Sequence, residues 1–247
     1  MPQRNLLARP DPLIVLGNQR SGTTAIAALL GRISGRPVML DVERIHRVHA
    51  GELTLAEFVR RNRYSFSRPI LKEPCLTFLV DELEALFPGA CYAMVLRDPR
   101  DNIRSILNRL GLKGDAETLD PAVFERIPRA WQFVVDGAWM GLKGDNHVAM
   151  LAQRWAAAAE TYLTRAESMA PVRYEDFSQD KAGTIRALAH RLGLPLRRDI
   201  TSWLDRPFQP PGEREASWEH FFGPRNLRRI ETICAGGMEA LGYEVES

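Results

Sequence analysis

The stretch Leu13–Leu30, LIVLGNQRSGTTAIAALL, constrains the fold more than any other part of the sequence. Its first four residues, Leu13 to Leu16, have the length and composition of a strand that is buried on both faces. The run Thr23–Ile33 is rich in alanine and leucine, which predicts a helix. A glycine-bearing turn between such a strand and helix brings free backbone N–H groups and the positive end of the helix dipole together. The sequence therefore predicts an anion site in this turn.

The residues of the turn, GNQRSGTT, strengthen that prediction. Gly17 and Gly22 allow a tight turn and the close approach of a phosphate, and Arg20 adds a planar cation. Hydroxyl donors are present at Ser21, Thr23 and Thr24. The spacing matches the G-x-x-x-x-G of a P-loop, but a Walker A motif continues with lysine, whereas Gly22 is followed by two threonines. We therefore expect a shorter anion than a triphosphate, such as a 5′-phosphate that carries one further group.

Strands and helices alternate along the chain, which predicts an α/β fold with an open, mostly parallel sheet flanked by helices. Further strands are expected at PILK, at Cys91–Leu96 and at PVRY. Ligands bind beyond the carboxyl ends of parallel strands, where the glycine turn, Lys72 and Arg97 all fall. The expected helices are Thr54–Arg63, Leu76–Phe87, one from Pro99, Ala122–Gly141, Asn146–Met169, Glu175–Leu192 and one starting near Pro224.

The length of 247 residues fits one large domain, which we expect to span residues 13–247 after a polar lead-in over residues 1–12. A net charge of +2 gives no reason to expect nucleic acid as a partner, and no apolar run has the roughly 18 residues of a membrane span.

Cys75, Cys91 and Cys234 are widely spaced, so we expect buried free thiols rather than disulfides or metal ligands. Free thiols favour a cytoplasmic location. Oligomeric state has no signature in this sequence.

Five segments together resemble the sulfotransferases that use 3′-phosphoadenosine 5′-phosphosulfate (PAPS). They are GNQRSGTT, PILK, LRDPRDNIRS, VRYEDF and the terminal SWEHF…LGY, in the family's order and spacing from Leu13 to Tyr243. The resemblance implies the P-loop NTPase-like sulfotransferase fold, in a bacterial-type branch of the family. It also implies transfer of a sulfuryl group from PAPS to a hydroxyl, or less often an amine, with the bisphosphate PAP as product and no metal.

The resemblance implies a role for each matching residue in binding the nucleotide. The first loop would bind the 5′-phosphate and the bridging sulfate oxygen through Arg20, Ser21, Gly22, Thr23 and Thr24. Arg97 and Ser105, eight residues apart as in the family's second motif, would hold the 3′-phosphate. Tyr174 matches a tyrosine that contacts the adenine. The aromatic residue that the family has after its two threonines is Ala25 here, so stacking on the adenine must come from elsewhere.

The same resemblance suggests the catalytic residues. Arg20 and Lys72 are expected to stabilise the negative charge that builds on the bridging oxygen. An acceptor alcohol also needs a base, and the histidine that follows the lysine by two positions in the animal cytosolic enzymes is absent here. Glu43, in LDVERIH after the first helix, matches the glutamate that other branches use. His46 and Glu73 remain candidates, and Asp41 is undecided.

The resemblance also bears on a loop and on the acceptor. Arg214, in a Pro/Gly-rich loop, corresponds to the basic loop that closes over the 3′-phosphate in the family, although the family's usual Arg-Lys-Gly is absent here. Trp131, Phe133, Trp139 and Trp155 are interpreted as packing residues. The acceptor, bounded by residues 40–63 and 110–169, could be a small molecule, a lipid or a glycan.

Two other functions compete with this interpretation. One is a P-loop kinase-like ATP phosphotransferase, in which Asp98 at the end of YAMVLRD would bind magnesium. The other is a non-catalytic nucleotide-binding member of the same fold.

Overall fold

A computed structural model describes residues 11–208 and 216–244, and its centre is a sheet of five strands. The strands are β1 (Leu13–Gly17), β2 (Val38–Leu40), β3 (Ile70–Lys72), β4 (Cys91–Leu96) and β5 (Met169–Arg173). Their order is β2-β3-β1-β4-β5, and every pairing is parallel. The predicted open parallel sheet is confirmed. The edge strand β2 was not predicted, because three residues after Pro37 carry no periodic pattern and pair with β3 alone.

The helices cover both faces of this sheet. They are α1 (Thr23–Ser34), α2 (His46–His49), α3 (Leu55–Arg61), α4 (Val80–Leu86), α5 (Pro99–Leu110), α6 (Pro121–Arg126), α7 (Arg129–Asp136), α8 (His147–Leu163), α9 (Tyr174–Gln179), α10 (Lys181–Arg191) and α11 (Trp218–Ala240). Short 3-10 turns lie at Ser65–Ser67, Pro74–Phe78, Ala138–Met140 and Thr201–Trp203.

Three predicted helices are each divided, and local chemistry explains the breaks. Pro74 opens a 3-10 turn ahead of α4, and Pro128 separates α6 from α7. Asp180 caps a new helix, α10, by accepting from the N–H of Gly183 at 2.8 Å. The structure also places Tyr174 at the start of α9 and not at the end of the predicted strand PVRY.

The final helix also differs from its prediction. It begins at Trp218 rather than near Pro224, and it bends at Gly223, whose backbone is non-helical with φ 65°.

Alternate residues of the strands supply two separate apolar layers. Ile14 and Leu16 of β1 pack on one face with Met94, while Val15 packs on the other face with Val95. Both layers are buried, so the apolar composition of the strands follows from a sheet covered on both sides. The carboxyl ends of β1, β3 and β4 lie side by side at one edge and present the glycine turn, Lys72 and Arg97 there.

The structure bears on the predictions for the cysteines and for membrane spans, and it leaves the chain ends untested. All three cysteines are free; Cys75 and Cys234 are buried as predicted, whereas Cys91 is exposed because it starts β4 at the sheet's amino edge. Within the two described ranges, no helix is long and apolar enough to cross a bilayer. Arg214 and residues 1–10 lie outside the described residues, so the lead-in and the domain boundary stay predictions.

Candidate active site

The glycine turn after β1 adopts an unusual backbone that its glycines make accessible. Gly17 has φ 139° and Gly22 has φ 94°, both in a region that favours glycine. A Cβ atom on Gly22 would lie 2.4 Å from the ring of Tyr174, so the turn and that ring fit together only with glycine here. The N-cap residue of α1 is Gly22, which has no side chain with which to cap the helix. The turn therefore has the glycine N-cap and helix start expected of an anion site.

A buried polar network that sequence analysis missed supports the turn from below. The amide nitrogen of Asn102, on α5, donates to the carbonyl oxygen of Gln19 at 2.8 Å and to the hydroxyl of Ser21 at 2.9 Å. The side-chain amide of Asn18 donates in turn to Asn102 at 2.9 Å. Ser21 is 1% exposed, so its hydroxyl belongs to this network and not to the open face of the turn. Asn102 stands inside LRDPRDNIRS, which is the signal that could have found it.

Most of the predicted nucleotide-binding residues line one cavity of about 460 Å³, which we call the Ser105 cavity. Its walls include Arg20, Gly22, Thr24, Arg97, Ser105 and Tyr174, together with Phe177 and Phe208. Direct contacts join several of them. Nε of Arg20 donates to the hydroxyl of Ser105 at 3.2 Å, and Nη1 of Arg97 donates to the carbonyl oxygen of Arg20 at 2.7 Å. The Arg97 guanidinium carbon also lies 4.3 Å from the centre of the Tyr174 ring.

The predicted catalytic residues line a second cavity of about 420 Å³, the Glu43 cavity. Glu43, Lys72 and Thr23 form part of its wall, beside Asp41, His46 and Trp131. Lys72 is 2% exposed, and its ammonium group forms an ion pair with the carboxylate of Asp41. Arg20 and Phe208 line both cavities, so the two spaces adjoin at the glycine turn.

The candidate bases occupy different environments. Glu43 is exposed at the wall of the cavity. His46 also lines it, and partial burial followed by the nearby Arg129 lowers the pKa of its imidazole. Burial raises the pKa of Glu73, but its two carboxylate oxygens accept from the backbone N–H groups of Val42 and Cys75 at 2.9 and 3.1 Å. Glu73 therefore fastens the segment after β2 to the turn after β3.

Other polar residues noted in the sequence have structural contacts. Asp98 caps α5 and pairs with the guanidinium of Arg100 at 2.8 Å, so its carboxylate is occupied as a cation partner and a helix cap. His49 and His147 are buried, whereas His190 and His220 are exposed. No cluster of His, Cys, Asp and Glu suited to a metal ion occurs in the part of the chain that the structure describes.

The aromatic residues divide into two groups. Trp139 stacks on His49 with ring centres 3.8 Å apart, and Trp155 donates from its indole nitrogen to the carbonyl oxygen of Arg97 at 2.8 Å. Both fit the prediction of packing residues. Trp131 differs, because it lines the Glu43 cavity and can contact whatever enters it.

The five-stranded parallel sheet and the glycine turn at its carboxyl edge define an α/β protein of the P-loop-like class, with two cavities that adjoin at that turn. The chain belongs to the sulfotransferase family, whose model matches residues 36–198. Human carbohydrate sulfotransferase 6 is 30% identical over 88 residues, which cover 29% of this chain and 22% of that protein. Carbohydrate sulfotransferase 5 of mouse gives the same values. The chain therefore matches about a fifth of the length of these curated relatives.

Solved structures share the fold at low sequence identity. The sulfotransferase domain from the curacin biosynthetic pathway has a TM-score of 0.56 at 15% identity, over 96% of this chain and 99% of that one. Sulfotransferase STF1 from Mycobacterium tuberculosis has a TM-score of 0.53 at 16% identity, over 93% and 78% of the two chains. The mouse sulfotransferase SULT7A1, solved with PAP, has a TM-score of 0.50 at 12% identity, over 96% and 90%.

Proposed function

We propose that this protein transfers a sulfuryl group from PAPS to a hydroxyl group of its acceptor. The observation that carries the proposal is the meeting of two cavities at Arg20. One cavity has the cations, hydroxyl groups and aromatic rings suited to a nucleotide, and the other has a carboxylate and a lysine. Group transfer between two ligands requires such adjoining spaces.

The Ser105 cavity fits a nucleoside that carries phosphates. Among the described residues, four cations line it against one carboxylate, that of Asp205; the cations are Arg20, Arg97, Lys181 and Arg206. Tyr174, Phe177 and Phe208 offer apolar rings for a base. We assign the 3′-phosphate to Arg97 and Ser105, and the 5′-phosphosulfate to the glycine turn with Arg20, Thr23 and Thr24. The PAP named with the mouse neighbour supports this nucleotide for the present chain.

The chemistry requires a base and stabilisation of the leaving group. When bound, PAPS supplies the sulfuryl group, whose bond to the 5′-phosphate oxygen breaks as a bond to the acceptor oxygen forms. We assign Glu43 to accept the proton of the acceptor hydroxyl, since its exposed carboxylate lines the acceptor side. Arg20 and Lys72 provide positive charge where negative charge develops. In the structure Lys72 is paired with Asp41, which fixes its position at the cavity wall.

The Glu43 cavity mixes apolar and charged groups, so the acceptor class stays a small molecule, a lipid or a glycan. A glycan draws support from the names of the two carbohydrate sulfotransferases. An amine acceptor would use the same proton path but is less favoured. The three free thiols support a reducing compartment, and we propose a cytoplasmic location on that ground.

Two measurements test the proposed function. Incubation with sulfur-labelled PAPS and a panel of phenols, lipid alcohols and glycans should yield a labelled acceptor. PAP should also raise the melting temperature without magnesium, and ATP should do so much less, because binding stabilises the folded state. Magnesium-dependent turnover of ATP would instead indicate a phosphotransferase. PAP binding with no labelled product across the panel would indicate a non-catalytic member.

A further inference from the structure

The guanidinium of Arg154 lies completely inside the protein, directly below the glycine turn. Arg154 belongs to α8 and is 0% exposed. Its Nη2 donates to the side-chain oxygen of Gln19 at 2.9 Å, and its Nε donates to that of Asn18 at 3.3 Å. The sulfur of Met140 lies 3.3 Å from Nη1, and the centre of the Phe78 ring lies 4.1 Å from the guanidinium carbon. All four partners are neutral.

Arg100 provides a contrast within the same chain. It is 2% exposed, but its guanidinium pairs with Asp98 at 2.8 Å and with Glu231 at 3.2 Å. In the ranges that the structure describes, no carboxylate forms an ion pair with Arg154. Burying a cation without an opposite charge is unfavourable, because the hydration that it loses is not replaced. Burial lowers the pKa of Arg154 to about 10, which leaves the guanidinium charged at neutral pH.

The position of this charge suggests what balances it. Asn18 and Gln19 belong to the turn that receives the anion, and the oxygen of Asn18 also accepts from the backbone N–H of Gln19 at 3.1 Å. The guanidinium is thus one side chain away from the turn. Gln19 reaches further, because it lines the Glu43 cavity beside Arg20.

We propose that Arg154 is a positioning residue of the glycine turn, and that its buried positive charge is balanced by the anion bound in that turn rather than by a protein carboxylate. The inference rests on the proposed function, since the anion is the 5′-phosphosulfate of the donor. Arg154 touches neither cavity and acts through Asn18 and Gln19. Its charge favours the 5′-phosphate specifically, because the 3′-phosphate is assigned to Arg97 and Ser105.

The test compares two nucleotides that differ only in the 5′-phosphate, PAP and adenosine 3′-monophosphate, by calorimetry on purified full-length protein. Arg154→Met removes the charge and keeps an apolar chain of similar length. We expect this substitution to weaken the binding of PAP by about tenfold or more, the scale of a lost charged interaction. Binding of the 3′-monophosphate should change by less than about threefold. Arg154→Lys keeps the positive charge but loses the planar guanidinium with its several donors. Its preference for PAP over the 3′-monophosphate should therefore lie between those of the wild type and of Arg154→Met.

Arg100→Met is the matched control. It should lower the melting temperature without nucleotide more than Arg154→Met does, because it leaves two carboxylates unpaired. Its preference for PAP over the monophosphate should equal that of the wild type.

Five results test the inference. Equal weakening of both nucleotides by Arg154→Met, or unchanged PAP affinity, would overturn the inference. If Arg154→Met does not fold, the test uses Arg154→Lys. An equal loss of affinity for both nucleotides in that variant would also overturn the inference. Selective loss of PAP in either variant supports it. Failure of the wild type to bind PAP would instead refute the proposed function, which the wild-type titration reveals before any variant is made.

Discussion

Arg97 donates from its guanidinium to the backbone carbonyl oxygen of Arg20, with 2.7 Å between nitrogen and oxygen. This bond joins the residue that follows β4 to the turn that follows β1, although 77 positions separate the two in sequence. The side chain of Arg97 therefore has a structural role in addition to the phosphate contact that we propose for it. It also fixes the conformation of the turn at a residue with positive φ, since Arg20 has φ 68°.

Arg97→Ala should weaken the binding of PAP by about 1.5–3 kcal/mol, the range for a hydrogen bond to a charged group. The loss combines the phosphate contact with slackening of the turn at Arg20. Calorimetric titration of PAP measures it, with Arg60→Ala as the control, since Arg60 is an exposed arginine that lines neither cavity. Unchanged affinity in a folded Arg97→Ala protein would remove Arg97 from the nucleotide site.

Glu43→Gln should lower kcat by about 100- to 10,000-fold, the usual contribution of a positioned base. The amide keeps the shape of the side chain, so PAP affinity should stay near the wild-type value. His46→Ala should lower kcat much less. Steady-state kinetics with a confirmed acceptor separates the two, and near-normal turnover in Glu43→Gln beside an inactive His46→Ala would show that the base is the histidine.

Glu73→Gln is expected to act on stability instead. Both carboxylate oxygens accept backbone N–H groups, and an amide would turn one acceptor into a donor facing a donor. Its melting temperature should fall, while the turnover of the protein that remains folded should be largely kept. A folded, fully stable Glu73→Gln protein without activity would argue that Glu73 is the base.

Gly22→Ala should disrupt the nucleotide site because the added Cβ would lie 2.4 Å from Tyr174, at a residue with φ 94°. We expect loss of PAP affinity together with a lower melting temperature. Gly141→Ala is the matched control, since Gly141 also has positive φ, 73°, but its Cβ would meet no atom within 4 Å. That variant should show backbone strain of about 1 kcal/mol and normal PAP binding. Equal effects of the two substitutions would mean that the contact with Tyr174 is unimportant.

Stability should fall below neutral pH because of His49. Burial, followed by the nearby Arg154, lowers the pKa of His49 from 6.5 to about 3. The unfolded chain thus binds a proton at this site between about pH 6.5 and 3, where the folded protein does not, so the free energy of unfolding falls as pH falls through that window. The loss should reach about 2 kcal/mol by pH 5.

His49→Phe checks this pH dependence, because it keeps a ring against Trp139 and cannot titrate. Its denaturation midpoint should depend less on pH between 7 and 5 than that of the wild type. Parallel curves for the two proteins would show that His49 is not responsible. His147, whose pKa burial also lowers, remains in both proteins and contributes the same background.

Residue patterns that are local in sequence determined much of this protein. A buried apolar run, a glycine turn and an alanine-rich helix specify their own structure, because each depends on neighbours within a few positions. The order of LIVLGNQRSGTT, PILK and LRDPRDNIRS then places their ends at one edge, since parallel strands all finish on the same side. For that reason the sequence could predict that Arg20, Lys72 and Arg97 lie at the same edge of the sheet.

Only the tertiary structure decided which side chains share a space and which are buried. The assignment of Glu43 to one cavity and Ser105 to another depends on how the segment after β2 and helix α5 pack against the turn, and no spacing encodes that packing. Arg154 shows the same limit most clearly. Within LAQRWAAAA it looks like an ordinary helical arginine, yet packing removes it from water and leaves its charge beneath the turn. Burial and electrostatic balance depend on contacts between distant parts of the chain, so they become visible only once the chain is folded.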